Sequence, residues 1–283
     1  MTRRLTAGAP GSPLAGLIGG YSPARRAYRR YRPRWMAGLS PAGREILRFV
    51  ERHGLLVSGG PFQGMRYPGR SAGHVSTFAA KLLGAYELEL HRAVEELLGF
   101  SPAIVVNVGA GEGYYAVGAA LRVPEATIEA FDADAGERSL CRALARENGV
   151  ADRVHVHGFC DSAALRPLTG PDVLLIVDCE GYELDLLDPA RIPSLAATNM
   201  LVELHPFARD GLVEEMVGRF RGTHDVRLIG MTERDAAQFP ELAGMDPLAS
   251  FLLLSEGWAP DAVPGPEQRL WAEMVAVSGG HRS

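Results

Sequence analysis

Lysine is almost missing from this chain of 283 residues: Lys81 is the only one, and the other 28 of the 29 basic residues are arginine. With alanine and glycine abundant, that imbalance reads as the coding bias of a GC-rich genome. Cysteine is scarce as well. Cys141, Cys160 and Cys179 are scattered, without a CxxC pair, which excludes a disulfide framework and a cysteine-based zinc site and fits a reduced cytosol. No stretch approaches the ~18 uninterrupted apolar residues of a membrane span. The N-terminus lacks the continuous apolar core of a signal peptide, and there are no internal repeats. These absences lead to the expectation of a cytoplasmic protein without a membrane span. Nearly half of the residues are apolar, enough to fill the core of one large α/β domain or of one domain with an appendage.

Acid is missing from one place. Residues 1–43 hold eight arginines and no Asp or Glu, so the remainder of a chain of net charge −5 carries −13. The strip YSPARRAYRRYRPRW (21–35) interleaves Arg with Tyr and Trp, a pattern that stacks on bases and neutralises phosphates. A helix docking its aromatics on its own domain shows the same pattern. Docking is favoured, because no RNA-binding module surrounds the strip.

The stretch that organises the chain is AIVVNVGAGEGYYAVGA (103–119). Its short branched run reads as a strand buried on both faces. Alternating Gly109, Gly111 and Gly113 follow, then an apolar pattern that suits a helix. Strand, glycine loop and helix grip a nucleotide-like ligand, because glycine permits close backbone approach and the helix start offers N–H groups. A dinucleotide fingerprint, GxGxxG, would need glycine where Tyr114 stands. Glu112 inside the loop would repel a pyrophosphate but not a cationic cofactor. A glycine loop can also be a plain tight turn. The next strand, TIEAFD (127–132), adds weight, because it ends on Asp132. Such folds place a carboxylate about 20 residues beyond the glycines, on the ribose hydroxyls. Asp132 could instead cap the following helix, but Asp134 is the better cap.

At this point the chain resembles the class I S-adenosylmethionine-dependent methyltransferases. LLIVDCEGYE (174–183) is similar to the strand and D-x-E-G-x-E signature of the FkbM-like members, and NMLVELH (199–205) to their next strand, which ends in Glu-x-His. Phe131-Asp132 stands where those relatives usually carry Phe-Glu. The likeness covers about residues 101–206, and GPFQGM (60–65) with KLLGAYE (81–87) extends it back to about residue 58. The resemblance implies a Rossmann-like α/β sheet of seven strands with the last pair antiparallel, bound S-adenosylmethionine, and methyl transfer, often to a hydroxyl oxygen. It puts Gly109, Ala110, Gly111, Glu112, Gly113, Tyr114, Asp132, Ala133 and Asp178 around the cofactor. Cys160 and Asp161, ending the third strand, would lie beside the adenine; Asp161 could equally cap the helix at Ser162.

Three segments are expected: a loose basic arm (1–39), a mostly helical N-terminal extension (40–100) and the cofactor-binding domain (101–283). Ser40-Pro41 is a helix start ending at Gly54. Residues 55–57 read as a short strand and residues 78–98 as one long amphipathic helix weakened by Gly84. Residues 135–148, 182–188 and 207–220 read as helices and residues 154–159 as a strand. Residues 226–231 and 250–255 are expected to form the closing antiparallel pair, joined by a long connection (232–248), with a last helix at 267–277.

In a doubly wound sheet the ligand sits at the carboxyl ends of the strands, so the glycine loop would face residues 178–180 across a cleft. Asp178, Glu180, Glu183, Glu203 and His205 crowd the acceptor side. A hydroxyl acceptor must lose a proton, so a base within reach is required. His205 is the natural candidate; Asp178 is its rival if crowding makes it more basic. Glu180, Glu203 and Tyr86 are assigned to the substrate, Glu180 with the cofactor's ammonium as a second role. A divalent ion on Asp178, Glu203 and His205 is a separate hypothesis, and a metal-free site is favoured because no close ligand pair announces one. The expected partner is a small-molecule methyl acceptor, a secondary metabolite or sugar, rather than nucleic acid. A homodimer is left open, as is a cofactor-binding protein without catalysis.

Overall fold

The computed structural model describes residues 41–69, 75–256 and 270–277. The basic arm, its arginine strip and Ser40 lie outside them. The described residues begin with α1 (Pro41–His53), ended by Gly54 at φ +77°. Residues 55–57 form no strand of their own, only an isolated bridge between Leu56 and Arg66. The long helix expected over residues 78–98 is two helices, α2 (Val75–Leu83) and α3 (His91–Gly99). Gly84 does more than weaken it. Its φ is +68°, and a Cβ there would come within 2.2 Å of the Gly59 backbone. Close packing of two backbones therefore ends the helix where the side-chain pattern would have continued it.

From there strands and helices alternate. They are β1 (Ile104–Val108), α4 (Tyr114–Arg122), β2 (Thr127–Phe131), α5 (Ala135–Glu147), β3 (Val154–His157), α6 (Ser162–Leu165), β4 (Val173–Val177), α7 (Glu183–Leu186), β5 (Asn199–Leu204), α8 (Leu212–Phe220), β6 (His224–Gly230), α9 (Pro247–Leu254) and β7 (Leu270–Ala276). The seven strands form one sheet in the order β3-β2-β1-β4-β5-β7-β6. The first five are parallel, and β7 runs antiparallel to both neighbours, β5 and β6. This is the Rossmann-like sheet that the resemblance implies, with its closing pair antiparallel.

Two of the expected closing elements are exchanged. Of residues 250–255, read as a strand, all but Ser255 belong to α9, whose start is set by Asp246 accepting from the N–H groups of Leu248 and Ala249, with Pro247 next. Residues 267–277, read as a helix, contribute β7 instead. Its Glu273 lies opposite Arg227 of β6 and pairs with it at 2.6 Å. The connection from 232 to 246 holds two short 3-10 turns.

Neighbouring residues of a central strand face opposite cores, as the pleat requires. Val105 joins one apolar cluster with α4, α5 and the helices ahead of the sheet; Val106 joins the other with α7, α8 and the far face of β5. The helices α1, α2 and α9 pack on one another within the first cluster. The extension therefore shares its core with the sheet. Among the described residues no helix is long and apolar enough to cross a membrane.

Candidate functional site

The glycine loop is held by backbone on both sides. The N–H groups of Gly109 and Ala110 both donate to the Phe131 carbonyl at 2.9 Å, tying the end of β1 to the end of β2, and Asp178 N–H donates to the Val108 carbonyl at 2.9 Å, tying β4 to β1. A Cβ on Gly109 would lie 1.6 Å from the Asp178 carbonyl oxygen, so only glycine fits where these strands emerge. Gly113 is closed off in the same way by the Cys141 side chain at 2.8 Å, whereas Gly111, at φ +54°, borders open space. The loop is thus rigid at both ends and accessible in its middle.

Asp132 closes the cradle. One of its oxygens accepts from Gly111 N–H at 2.8 Å and the other from Asp134 N–H at 2.7 Å. Burial pushes its pKa up while those two N–H donors pull it down, with burial prevailing. Each carboxylate oxygen still has a further acceptor site for a vicinal diol. The following helix is capped by Asp134, which accepts from Gly136 and Glu137, leaving Asp132 for the cradle. Ala133 is exposed beside it.

The remaining candidates on this side divide. Asp161 caps α6, accepting from Ala163 N–H and Ala164 N–H. Cys160 is buried in the core and its thiol is raised to about 12 by burial, so its side chain packs inward and only its backbone borders the strand end. Near it the exposed Phe159 ring sits 5.4 Å from Tyr182, an aromatic pair that sequence reasoning did not single out. Tyr114 is buried edge-on against Phe62, Tyr86 and Tyr115, and its hydroxyl is buried with no hydrogen-bond partner among the described residues. The Asn107 Oδ1 at the end of β1 is in the same condition.

Glu112 does not present an isolated charge. It forms an ion pair with Lys81 of α2 and accepts from the Tyr67 hydroxyl at 3.4 Å. Lys81 in turn lies 4.5 Å from the centre of the Tyr86 ring and 5.4 Å from that of Tyr114. Sequence reasoning took the single lysine as a mark of genome composition; its singularity was the signal that it occupies a special place. Glu87 is buried beside this group, its carboxylate accepting from the Tyr115 hydroxyl.

Elsewhere at the strand ends, β4 and β5 bring Asp178, Glu203 and His205 together, with one ligating atom from each within 4.8 Å of the others. His205 Nε2 is 3.7 Å from Asp178 Oδ1, and Nδ1 is 2.7 Å from Glu183 Oε1. Glu183, at the start of α7, is fully buried, and the same oxygen accepts from Gly181 N–H at 2.9 Å. Burial alone would raise the Glu183 pKa, but His205 and the Gly181 amide outweigh it and the carboxyl is lowered. A carboxylate favoured in this way accepts, so Nδ1 is the donor of the pair. For His205, burial disfavours the imidazolium, but Glu183, Asp178 and Glu180 together prevail and its pKa is raised. Asp178 is pushed up to about 6, first by burial and then by the neighbouring Glu180 and Glu183. His205 and Glu203 act the other way, favouring the Asp178 carboxylate. Glu180 is exposed and held at φ +57°, followed by Gly181 at +101°. This turn returns the chain so that Glu183 reaches His205. Tyr86, expected at the cofactor or substrate mouth, has the Lys81 ammonium 4.5 Å over its ring centre.

No family model matches the chain, and no curated protein does. Among solved structures, the fold is similar to the O-methyltransferase TomG from Streptomyces achromogenes, involved in tomaymycin synthesis, in complex with SAM: TM-score 0.41, 14% identity, over 65% of this chain and 80% of that one. It is similar to a putative O-methyltransferase from Nostoc punctiforme (TM-score 0.40, 14% identity, over 88% and 71%) and to an rRNA methylase from Streptococcus thermophilus (0.43, 10%, over 67% and 97%).

Proposed function

We propose that this chain is an S-adenosylmethionine-dependent methyltransferase of the FkbM-like kind, acting on a hydroxyl of a small molecule such as a secondary metabolite or sugar. One observation carries the reading: the acid that ends β2 is hydrogen-bonded to the central amide of the glycine loop, Asp132 to Gly111 at 2.8 Å. That bond joins the two sequence signals into one cradle. The donor set fits the cofactor. Gly111 leaves space at the loop, Asp132 offers acceptors for a ribose diol, and the Asn107 and Tyr114 polar atoms are unpartnered nearby in sequence. The Asp178 and Glu180 carboxyls give the adjoining mouth an acidic lining that suits a sulfonium. S-adenosylmethionine supplies, when bound, a methyl group made electrophilic by its sulfonium.

The chain's own residues then do two things. Gly109 to Gly113 and Asp132 hold and orient the nucleoside, and positioning meets much of the barrier. Asp178 and His205 receive the acceptor hydroxyl, whose proton passes to His205 Nε2. Glu183, accepting from Nδ1–H, orients the ring and stabilises the imidazolium that forms.

Calorimetry with S-adenosylhomocysteine tests the reading. Wild-type protein should bind it, and Asp132→Ala should weaken binding roughly 100-fold, the worth of hydrogen bonds to a charged acceptor. Unchanged affinity in the variant would remove Asp132 from the site.

A further inference from the structure

The sheet has two edges, and they are finished differently. A strand edge is a row of unpaired amides and carbonyls, which proteins guard with a very short strand, a bulge, a proline, charged side chains or a cover. β3, at one edge, has only four residues, and its Val156 carbonyl accepts from the Arg142 guanidinium at 2.8 Å. β6, at the other, runs seven residues, HDVRLIG, without proline. Its register with β7 is one-to-one from His224 to Gly230, so it has no bulge. Among the described residues, no backbone group outside β7 bonds to that stretch. The only guard on β6 is charge, Asp225 and Arg227, and the two are of opposite sign.

The ladder shows which groups face outward. Val277 N–H donates to the Thr223 carbonyl at 2.9 Å, so residues 223 and 277 form a bonded pair. Bonded and non-bonded pairs alternate along an antiparallel ladder. Asp225, Arg227 and Ile229 therefore turn their amides and carbonyls to β7, and Val226, Leu228 and Gly230 turn theirs out of the sheet. The same phase points the Ala276 N–H toward β5, where it bonds to the Asn199 side chain at 3.0 Å. Leu228 adds an exposed apolar side chain to this edge.

The edge is complementary to itself. Laid antiparallel against its own copy with Val226 on a two-fold axis, β6 sets Val226 against Val226 and His224 against Leu228, all with outward backbone groups. Asp225 then falls opposite the partner's Arg227, and the reverse holds by symmetry. These are non-bonded positions of the new ladder, where side chains stand closest, and opposite charges placed so are favourable. Arg227 is already aimed: Glu273 holds it at 2.6 Å and Glu96 at 3.4 Å, while 42% of its side chain stays exposed. With the axis on Leu228 instead, Arg227 would face Ile229. An axis on Arg227 would oppose two like charges and groups already bonded to β7. We propose that β6 is a homodimer interface, at which two copies join edge to edge about a two-fold axis through Val226 and two seven-stranded sheets become one. Such a contact uses the same patch on both chains and closes at two. It leaves no bare edge for further strands, and it does not depend on what the site binds.

Analytical ultracentrifugation of the full chain at micromolar concentration tests the proposal. Wild-type protein should sediment as a dimer. Val226→Pro removes an outward N–H and no bond to β7, an orientation in which edge strands accept proline. It should sediment as a monomer with the circular dichroism of wild type. Asp225→Arg sets like charges opposite each other at both symmetric positions and should weaken the dimer roughly 10-fold. Cross-linking reads the register. Val226→Cys should form an intermolecular disulfide under mild oxidation, because opposed residues of a bonded pair lie within disulfide reach. Leu228→Cys, whose copy sits four residues away along the strands, should not. A monomeric wild-type chain overturns the proposal. So does a dimer that survives a folded Val226→Pro, or one that Leu228→Cys links in place of Val226→Cys. Should Val226→Pro misfold, the response to Asp225→Arg and the cross-linking pattern decide.

Discussion

The two halves of the candidate site are built by opposite means. At the β1–β2 end the working parts are backbone: three glycines, two amides on one carbonyl, and a single acid anchoring the turn. At the β4–β5 end they are side chains. Asp178, Glu203 and His205 project from neighbouring strands, and the ring is aimed by Glu183 from 22 residues earlier in the chain. A backbone-built site tolerates almost no change of residue at its contact points, because the excluded volume is fixed. A side-chain-built site tolerates substitution in fold but not in proton chemistry.

The comparison can be broken most severely at Gly109. Gly109→Ala would drive a methyl group into the Asp178 carbonyl at a positive φ. It should cost about 3 kcal/mol or more, read as a lowered denaturation midpoint together with loss of cofactor binding. His205→Ala should act on the chemistry. S-adenosylhomocysteine affinity should stay close to wild type while kcat falls roughly 10²- to 10⁴-fold, the range for losing a general base, and the denaturation midpoint should drop because Glu183 is left buried without its partner. A variant that lost cofactor affinity instead would show the two ends to be one.

The pH profile sharpens the contrast further. A base must be unprotonated, so kcat/KM should fall as pH drops through the raised His205 value and, lower, through the Asp178 value near 6. Glu183→Gln removes the chief group that raises His205, so the limb governed by His205 should move to lower pH while kcat at its plateau declines. An unmoved limb would assign it to another group. The smallest effect is expected from chelation. With a metal-free acceptor end, dialysis against EDTA should leave kcat unchanged. A loss restored by a divalent ion would instead make Asp178, Glu203 and His205 its ligands.

The same contrast explains what was legible in the sequence. Glycine spacing and the acid ending β2 are local, so the cradle could be read from residues 104–132. The strand bearing Asp178 and the strand bearing His205 could also be read, because buried parallel strands are nearly continuous apolar runs. The bond between Glu183 and His205 could not, since it depends on the turn at Glu180-Gly181. Nor could the contact of Lys81 with Glu112, which joins elements 31 residues apart. The exchanged closing elements have different causes. Asp246-Pro247 carried the same start signal that Ser40-Pro41 did, and the apolar run after it masked the signal. In β7, Ala272, Glu273 and Met274 favour helices in isolation, and pairing on both sides overrides that preference.

The place of β7 in the sheet has a consequence for how the molecule is made. It lies between β5 and β6 although it is the last of the seven strands to be synthesised. A nascent chain that has emerged through β6 therefore carries a vacant slot with strand edges waiting on both flanks, the kind of edge that pairs with whatever strand arrives. The segment ending at Ala276 is the key that closes the sheet, and a crowded polysome is where a neighbour's copy could enter first. A chain halted ahead of Leu270 loses more than a tail: β6 is left with no strand to connect it to the rest of the sheet.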